Sequence, residues 1–470
     1  MTVGVIGLGV MGRGIAQVLA QSGIKVLLYD NNEEILDSGI DFIKRMIDKL
    51  CEKGKIDKDK AESSKSLIVK TTDLSDFSGC DLVIEAVVEN LDIKKNIFYK
   101  LEEIVKEDCI LATNTSSLSV TSIAAACKKP SRVAGFHFFN PVPLMKVVEV
   151  VRGIMTEDWV CDELKRIAQV IGHTPILTKD TPGFLVNHLG RAYGTEALTI
   201  LSEGVADIED IDVILRETCN FRMGPFELFD LTGIDVSHPA TESIYHQFYE
   251  DPRYKPSYIL QRRMEAKLLG RKTGQGFYKY DSSGKKIIKE KTTYIKSVDK
   301  SKIFKIWVGG DKSNVNMIKN FIFKIGGELD EGKKPSKKSI CMLVPELGKD
   351  ATTTSVELGV DPEKSVAIEA FNNALNKHIV LMKTVVTTDN TILNLMSLLQ
   401  QNELNYSIIN DSPGFINQRV LAMIINTACA IAQQNIASPH DIDKAVKLAL
   451  GYPFGPLEWG NMFGVNNILQ

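Results

Sequence analysis

The sequence predicts an α/β domain built on a doubly wound parallel sheet, followed by an all-α domain, with a degenerate copy of this arrangement in the C-terminal half. Strand and helix patterns alternate from residue 3 to about residue 151, and the strands are continuous apolar runs, which is typical of a sheet covered on both faces. From about residue 180 long helical patterns dominate. Two motifs of that helical region recur later in the chain at one spacing.

The first strand pattern, Val3–Ile6, leads into the glycine-rich sequence GLGVMG. These glycines permit a tight strand-to-helix turn, the approach of a pyrophosphate to the backbone, and packing of the helix on the strand. A helical pattern and a second strand pattern follow and end in Asp30. This order is that of a Rossmann-type dinucleotide-binding unit. The predicted cofactor-binding residues are Gly7, Leu8, Gly9, Val10, Met11, Gly12 and Asp30.

The acidic residue selects the cofactor. Asp30 lies 18 residues after Gly12, where a carboxylate accepts hydrogen bonds from ribose hydroxyls. It would repel a 2′-phosphate, and the following Asn31 and Asn32 supply no positive charge to hold one. The sequence therefore predicts NAD rather than NADP.

The composition is that of an ordinary soluble protein. The chain has 470 residues, enough for about three domains, with 44% hydrophobic and 24% charged residues and a net charge of −3. This balance gives no reason to expect nucleic acid or an anionic membrane as a partner. Eight scattered cysteines without a CxxC pair predict free thiols and no metal site. With no long apolar run and no room for a signal peptide, we expect a cytoplasmic protein.

The organisation along the chain predicts two halves. The motif Asp180–Phe184 recurs at residues 411–415, and the motif Gly224–Leu228 recurs at residues 455–459, both 231 residues later. Two matches at one offset indicate an internal duplication. The predicted segments are a Rossmann domain (1–179), a helical domain (180–280), a linker (281–300), a degenerate Rossmann-like domain (301–410) and a second, shorter helical copy (411–470).

Two residues are candidates for the chemistry that accompanies hydride transfer. His137 comes at the end of a predicted strand, on the side where ligands gather in open α/β sheets. Glu149 is enclosed by valines, and a buried charge needs a partner. A His–Glu pair would fix the imidazole tautomer and stabilise an imidazolium. On the pattern alone, a satisfied histidine and a solvated edge-strand glutamate remain alternatives.

Four segments resemble the signatures of the L-3-hydroxyacyl-CoA dehydrogenase family, in family order. They are NTSS (114–117), HFFNP (137–141), DTPGFLVN (180–187) and RKTGQGFY (271–278). The duplicated helical domain resembles that of the longer bacterial members, which act on 3-hydroxybutyryl-CoA or 3-hydroxyadipyl-CoA. The resemblance implies NAD-dependent oxidation of (3S)-3-hydroxyacyl-CoA to 3-oxoacyl-CoA, in fatty-acid or phenylacetate-type catabolism.

The resemblance also implies roles for individual residues. His137 would be the general base, Glu149 would orient it, and Ser116 and Asn187 would hold the reacting oxygen in a cleft between two domains. Lys53 would meet the phosphates of coenzyme A, although a solvated lysine-rich face explains it equally well, and Met46 stands where the family has a serine. The residues expected near the nicotinamide are Glu89, Lys94, Asn140 and Lys272.

The second half is expected to keep the shape and lose the chemistry. Its first strand pattern ends in Gly309-Gly310 without a third glycine. If residues 381–383 repeat residues 144–146, Val386 takes the place of Glu149. If Phe371-Asn372 repeats Phe139-Asn140, Glu369 takes the place of His137, and the common offset maps Asn187 to Gln418.

Two other functions remain possible at this point. A β-hydroxyacid dehydrogenase would act on a free acid and use a lysine as its proton carrier, and the segment 180–187 contains no lysine. A non-catalytic NAD-binding protein would have no need of His137, Glu149, Ser116 and Asn187 together. The expected partner is an acyl-CoA substrate, and the chain is expected to be a homodimer or a pseudo-dimeric monomer.

Overall fold

The structure is a computed structural model that describes residues 1–287, 304–371, 375 and 377–469. The chain folds into two compact units. The first unit comprises residues 1–190, 246–249 and 428–457, and the second comprises residues 191–245, 250–427 and 458–470. Asn372 and residues 288–300 of the predicted linker lie outside the described residues.

The first sheet has eight strands in the order β3-β2-β1-β4-β5-β6-β7-β8. All neighbours are parallel except β6 and β7, which are antiparallel. The strands are β1 (Thr2–Ile6), β2 (Lys25–Tyr29), β3 (Ile68–Lys70), β4 (Leu82–Glu85), β5 (Ile110–Thr113), β6 (Val133–Phe138), β7 (Val147–Arg152) and β8 (Thr174–Lys179). The continuous apolar runs of the sequence therefore form a sheet with a core on each face, as predicted.

Helices cover both faces of this sheet. They are α1 (Val10–Gln21), α2 (Glu33–Glu52), α3 (Lys58–Ser66), α4 (Leu91–Glu102), α5 (Val120–Ala124) and α6 (Asp158–Val170). Apolar residues of α1, α2 and α6 share one core, and those of α4 and α5 share the other. The N-cap side chains of Asn32, Asp57 and Asn90 begin α2, α3 and α4 by accepting hydrogen bonds from free backbone N–H groups.

Helices dominate from residue 186, as the sequence predicts. The first helical segment contains α7 (Val186–Ser202), α8 (Ile208–Cys219), α9 (Pro225–Thr232), α10 (Ile234–Gln247) and α11 (Tyr258–Glu265). Gly224 must be glycine because a Cβ there would lie 2.2 Å from the Cγ of Asp212. Gly455, which is 231 residues later, meets Asp443 at the same distance. The repeated Gly-Pro motif therefore marks one close helix contact that occurs twice.

The second half contains a six-stranded sheet in the order β10-β9-β11-β12-β13-β14. Its strands are β9 (Lys305–Gly310), β10 (Glu328–Leu329), β11 (Ile340–Val344), β12 (Ser365–Ile368), β13 (Ile379–Lys383) and β14 (Tyr406–Ile409). The helices of this half are α12 (Val315–Lys324), α13 (Ala351–Leu358), α14 (Asp389–Gln401), α15 (Ile416–Gln433), α16 (Pro439–Ala449), α17 (Pro456–Phe463) and α18 (Val465–Leu469). Among the strand pairs described in this sheet, only β12 and β13 are antiparallel.

The duplication includes part of the sheet as well as the helices. Asp180 accepts hydrogen bonds from the backbone N–H groups of Val120 (3.0 Å) and Thr121 (2.7 Å) at the start of α5. Asp411 does the same for Ala351 (2.9 Å) and Thr352 (3.3 Å) at the start of α13. All three positions differ by 231, so β11 corresponds to β5 and β12 corresponds to β6.

This correspondence shows what the second sheet lacks. In the first sheet β4 lies between β1 and β5, whereas β9 pairs directly with β11. Within the part of the chain that the structure describes, the second half therefore has no counterpart of β4 or α4. The residues that these two elements carry in the first half are missing with them.

The strand register corrects one of the predicted equivalences. His137 lies opposite Glu149 in the β6–β7 ladder, and the backbone N–H of Glu369 donates to the carbonyl of Val380 (3.0 Å) beside β12 and β13. The equivalence of Glu369 with His137 stays a prediction, because the offset of 231 places Ile368 at that position. The prediction that Val386 takes the place of Glu149 was wrong, because residues 381–383 lie inside β13 whereas residues 144–146 precede β7.

Candidate active site

The glycine-rich loop has the backbone geometry that its sequence predicts. Gly7 has a φ of +91°, and a Cβ there would lie 2.7 Å from the carbonyl oxygen of Ala86. A Cβ at Gly12 would lie 1.7 Å from the carbonyl oxygen of Gly7. Nothing lies within 4 Å of the Cβ position of Gly9, so the loop leaves open space there. No side chain caps α1, so the backbone N–H groups of its first turn are available to a phosphate.

Asp30 is held beside this loop. Its Oδ2 accepts a hydrogen bond from the backbone N–H of Leu8 (2.8 Å), and its Oδ1 accepts one from Asn32 (3.0 Å). Asp30 directly follows β2 and is half-buried. This placement fits the recognition of a ribose diol, and the residues present therefore fit NAD.

His137 and Glu149 form a buried pair. The imidazole Nδ1 lies 2.6 Å from Oε2 of Glu149, and the two side chains are 6% and 0% exposed. Antiparallel pairing of β6 with β7 brings the two residues directly opposite each other. The rings of Phe139 and Phe184 pack against the imidazole, with centroids 4.6 and 5.7 Å away. The predicted pair is therefore present, and both of its side chains are buried.

Glu149 also begins a helix. Its Oε1 accepts hydrogen bonds from the backbone N–H groups of Leu185 (3.0 Å) and Val186 (2.8 Å) at the start of α7. Because the carboxylate accepts from two N–H groups at the positive end of a helix, it is stabilised as an anion. An ionised carboxylate is an acceptor only, so the hydrogen in the pair with His137 belongs to Nδ1. In a neutral imidazole with this tautomer, the lone pair is on Nε2.

Ser116 lies in a loop that Glu89 organises. The carboxylate of Glu89 accepts hydrogen bonds from the Oγ1 of Thr115 (2.6 Å) and from the backbone N–H groups of Ser116 (2.9 Å) and Ser117 (3.1 Å). Burial would raise the pKa of Glu89, but these hydrogen bonds and the charge of Lys94 outweigh it, and the pKa is lowered. Glu89 therefore remains ionised and fixes the backbone of the loop that carries Ser116.

Lys94 is a buried cation rather than a residue of a solvated helix start. Its side chain is 1% exposed, and Nζ lies 2.6 Å from Oε1 of Glu85 and 3.4 Å from Glu89. Glu85, at the end of β4, is 0% exposed and also accepts from the Oγ1 of Thr113 (2.7 Å). The three charged groups form one network at the carboxyl ends of β4 and β5, which is where ligands bind in open α/β sheets.

Asn187 belongs to the same unit as these residues. It lies in the first turn of α7, and its Nδ2 is 3.5 Å from the carbonyl oxygen of Ser116. The structure therefore places Ser116, His137, Glu149 and Asn187 in one unit, as one connected group. Asn140 follows β6 at the exposed surface of this unit.

Two of the predicted site residues, Lys272 and Lys53, are not part of this connected group. Lys272 belongs to the second unit, where its Nζ forms an ion pair with Asp235. Lys53 is an exposed residue at the C-terminal end of α2. The predicted contacts of these lysines with cofactor and substrate stay predictions.

Glu85 and the threonines beside it were not predicted from the sequence. The signal was present, since Glu85 ends an apolar run of the same kind as the one that contains Glu149. A carboxylate at the end of such a run is buried and needs a partner. Lys94 lies nine residues after Glu85, in the first turn of α4. The pairing of the two depends on the path of the connection between β4 and α4, which the sequence does not define.

The described residues include no metal site, disulfide bond or membrane-spanning helix. All eight cysteines lie in the described part of the chain, and none of them forms a disulfide bond. Among the residues described, no cluster of His, Cys, Asp and Glu is suited to hold a metal ion. In the same part of the chain, every helix is too short or too polar to span a bilayer.

Comparison with known proteins identifies the family. The model of the 3-hydroxyacyl-CoA dehydrogenase NAD-binding domain matches residues 2–181, and that of the C-terminal domain matches residues 183–280 and again 414–470. The chain belongs to the 3-hydroxyacyl-CoA dehydrogenase family. It is an NAD-dependent oxidoreductase that acts on 3-hydroxyacyl-CoA, and its reaction belongs to fatty acid metabolism. The double match of the C-terminal model confirms the internal duplication.

Full-length relatives share both halves. The chain is 35% identical over 469 residues to the 3-hydroxyadipyl-CoA dehydrogenase of Escherichia coli K12, a match that covers 100% of this chain and 92% of the relative. A crystal structure of 3-hydroxybutyryl-CoA dehydrogenase from Escherichia coli K12 is 36% identical, with a TM-score of 0.85, over 100% of this chain and 93% of that one. The 3-hydroxybutyryl-CoA dehydrogenase of Clostridioides difficile is 41% identical over 281 residues, covering 60% of this chain and all of the relative.

We predict that Lys94→Met destabilises this dehydrogenase by about 3–5 kcal/mol, because Glu85 then remains buried without its partner. Urea unfolding measures the loss. The exposed Lys100, on the same helix, is the matched control, and Lys100→Met should change stability by less than about 0.5 kcal/mol. The double variant Glu85→Gln/Lys94→Met should be more stable than Lys94→Met alone. Equal losses in the single and double variants would contradict the buried ion pair.

Proposed function

We propose that the dehydrogenase uses His137 as the general base in the oxidation of (3S)-3-hydroxyacyl-CoA to 3-oxoacyl-CoA. The observation that supports this most strongly is the 2.6 Å contact between Nδ1 of His137 and the buried carboxylate of Glu149. Because Nδ1 carries the hydrogen of this contact, Nε2 is free to take the proton of the 3-hydroxyl group. Bound NAD would supply the acceptor for the hydride that leaves C3.

Glu149 acts through the histidine. When His137 takes the proton, an imidazolium forms in a buried place, which is costly without a compensating charge. The ionised carboxylate of Glu149 supplies that charge, and its two hydrogen bonds to the start of α7 keep it in position. Glu149 is therefore a positioning residue.

Ser116 and Asn187 are proposed to hold the reacting oxygen. Both have polar side chains on half-buried positions of the first unit, and Asn187 approaches the Ser116 backbone. Donors fixed around an oxygen that becomes more negative stabilise the transition state more than the ground state. The role of Glu89 in this proposal is to fix the Ser116 loop before substrate binds.

The proposed cofactor residues are those of the glycine-rich loop together with Asp30, Glu89, Lys94, Asn140 and Lys272. For Lys94, the structure favours an electrostatic role, because its Nζ is already paired with Glu85 and Glu89. We infer that Lys94 offsets part of the negative charge of the two carboxylates, which lowers their repulsion of a cofactor. Lys53 is proposed as a contact of the coenzyme A phosphates.

The names of the full-length relatives support 3-hydroxyadipyl-CoA or 3-hydroxybutyryl-CoA as the substrate. We also propose that the chain is a pseudo-dimeric monomer rather than a homodimer. In the first unit the backbone N–H of Lys179 donates to the carbonyl of Ile436 (3.0 Å), and in the second unit Asn410 donates to Val205 (2.8 Å). The two contacts join equivalent residues, since Lys179 corresponds to Asn410 and Val205 to Ile436 at the offset of 231. A homodimer has such a pair of equivalent contacts across its twofold axis, whereas here both lie within one chain.

We predict that His137→Gln lowers kcat by about 10²–10⁴-fold, because a positioned base contributes that much. The measurement is the rate of NADH formation with 3-hydroxybutyryl-CoA, and NADH binding, followed by fluorescence titration, should be nearly unchanged. A loss of NADH affinity in parallel with kcat would instead place His137 in cofactor binding.

The two halves offer a matched pair of variants. Asn187→Ala should lower kcat/KM by about 10²-fold, as for the loss of one donor to a developing oxyanion, whereas Gln418→Ala should leave it nearly unchanged. Asn187 lies near the start of α7 and Gln418 near the start of α15, 231 positions later. Each variant therefore controls for the effect that shortening a side chain at this position has on folding. Comparable losses in steady-state turnover would mean that both halves catalyse.

A substrate panel tests the choice of substrate. We expect turnover of both 3-hydroxyadipyl-CoA and 3-hydroxybutyryl-CoA, and no measurable turnover of free 3-hydroxybutyrate, because the coenzyme A moiety supplies binding energy that positions the reacting carbon. The comparison of kcat/KM between the two thioesters identifies the preferred acyl group. Turnover of the free acid at a similar kcat/KM would favour a β-hydroxyacid dehydrogenase.

A further inference from the structure

Arg13 is a cation that the proposed mechanism does not use. It directly follows Gly12 of the glycine-rich loop and lies, half-buried, in the first turn of α1. Within the part of the chain that the structure describes, its guanidinium forms no ion pair and no hydrogen bond. A half-buried charge without a carboxylate partner needs another source of compensation.

The start of α1 is an unfavourable place for a positive charge. The N–H groups of a first helical turn carry partial positive charge, which repels a cation and attracts an anion. The first turn of α1 contains no acidic residue that would offset this repulsion. The stability of the helix therefore does not account for Arg13, whereas an anionic ligand at this helix end would be attracted by the N–H groups and by the guanidinium together.

Phe42 of α2 holds the guanidinium in place. The Cζ of Arg13 lies 4.1 Å from the centroid of the Phe42 ring, and both side chains are half-buried. This cation–π contact engages the face of the ring and leaves the N–H donors of the guanidinium open to a ligand. Arg13 is therefore restrained beside α2 with donors that the described residues do not use.

The space expected to hold a phosphate begins one helical turn from Arg13. The backbone N–H of Arg13 donates to the carbonyl of Gly9 (3.2 Å), and nothing lies within 4 Å of the Cβ position of Gly9. No side chain caps α1. Free backbone donors and a restrained guanidinium therefore occur at the same end of one helix.

Arg13 also lies beside a face of α2 that continues to Lys53. Phe42, Met46 and Lys53 follow each other at spacings of four and seven residues, which places them on one side of the helix. At a rise of 1.5 Å per residue, Phe42 and Lys53 are about 16 Å apart along the helix axis. The two cations therefore lie near the two ends of one surface of α2.

We propose that Arg13 binds a phosphate group of a ligand of this dehydrogenase. A guanidinium and a phosphate match in charge and form two parallel N–H···O hydrogen bonds. Two ligands carry that group: NAD, whose diphosphate is expected at the glycine-rich loop, and the coenzyme A thioester, whose phosphates are proposed to reach Lys53. The inference rests on the proposed function, since it adds a residue to the binding of its cofactor or its substrate.

Binding measurements on the full chain test the proposal without turnover. NADH is titrated by fluorescence, and coenzyme A by isothermal titration calorimetry, each at two salt concentrations. Arg13→Met keeps an unbranched side chain beside Phe42 and removes the charge, whereas Arg13→Lys keeps a charge. Arg166→Gln, which removes the charge of an exposed arginine on α6, is the matched control.

We expect Arg13→Met to raise the Kd of one of the two ligands by about tenfold or more, because a charge-assisted contact with a phosphate is lost. A higher Kd for coenzyme A alone assigns the phosphate to the substrate, and a higher Kd for NADH alone assigns it to the cofactor. The affected Kd should also depend less on salt, since one ion contact is missing. Arg13→Lys should raise the same Kd by about threefold, because the point charge remains and the fork is lost. Arg166→Gln should change neither Kd by more than about twofold.

Two results would overturn the proposal. The first is an unchanged Kd of both ligands in Arg13→Met, which would leave Arg13 as a packing partner of Phe42. The second is an equal loss for both ligands, which would indicate a general effect of charge or folding and not a contact. Thermal unfolding checks that each variant is folded, and Arg13→Lys remains informative if Arg13→Met does not fold. If the unchanged chain bound neither ligand, the proposed function would fail together with this inference, so the two failures are distinguishable.

Discussion

The first half of the molecule depends on one buried carboxylate, that of Glu149. A charge with no exposure to water must be compensated by its neighbours, and Glu149 finds three donors: the imidazole of His137 and the backbone N–H groups of Leu185 and Val186. These contacts fix the tautomer of the histidine and the start of α7 at once. Because α7 carries Asn187, a single group sets the positions of two residues of the proposed mechanism.

The same physical solution occurs a second time in that sheet. Glu85 is buried at the end of β4 and is compensated by Lys94 and Thr113, as Glu149 is compensated at β7. Glu85 ends β4 and Glu149 lies within β7, and each carboxylate connects the sheet to a helix, α4 or α7. The described residues of the second half contain neither network: Val380 lies opposite Glu369 in its sheet, and β4 and α4 have no counterpart. The second half therefore differs from the first by both charge networks and not by one residue alone.

Local patterns predicted more of the fold than of the pairing between elements. The glycine loop, the strands and the duplication follow from the spacing of residues in the sequence, and Glu149 was found because valines surround it. The antiparallel pairing of β6 with β7 has no local signal, although it is what brings His137 and Glu149 together. The predicted equivalence of Glu149 with Val386 was wrong for a related reason. Residues 144–146 and 381–383 have the same sequence, but the first tripeptide precedes β7 and the second lies inside β13. Domain limits drawn from the sequence stay predictions.

The duplicated architecture explains how the second half keeps its shape although its side chains differ from those of the first half. The hydrogen bond from Lys179 to Ile436 ties the end of the first sheet to the second helical copy, and that from Asn410 to Val205 ties the end of the second sheet to the first helical copy. Both are backbone hydrogen bonds, which depend on the course of the chain rather than on side-chain identity. Substitutions at catalytic positions of the second half leave these contacts intact, whereas a change in the path of β14 or of the chain before α16 would remove them. The second half is therefore constrained in the course of its backbone, whereas its side chains are able to differ from those of the first half.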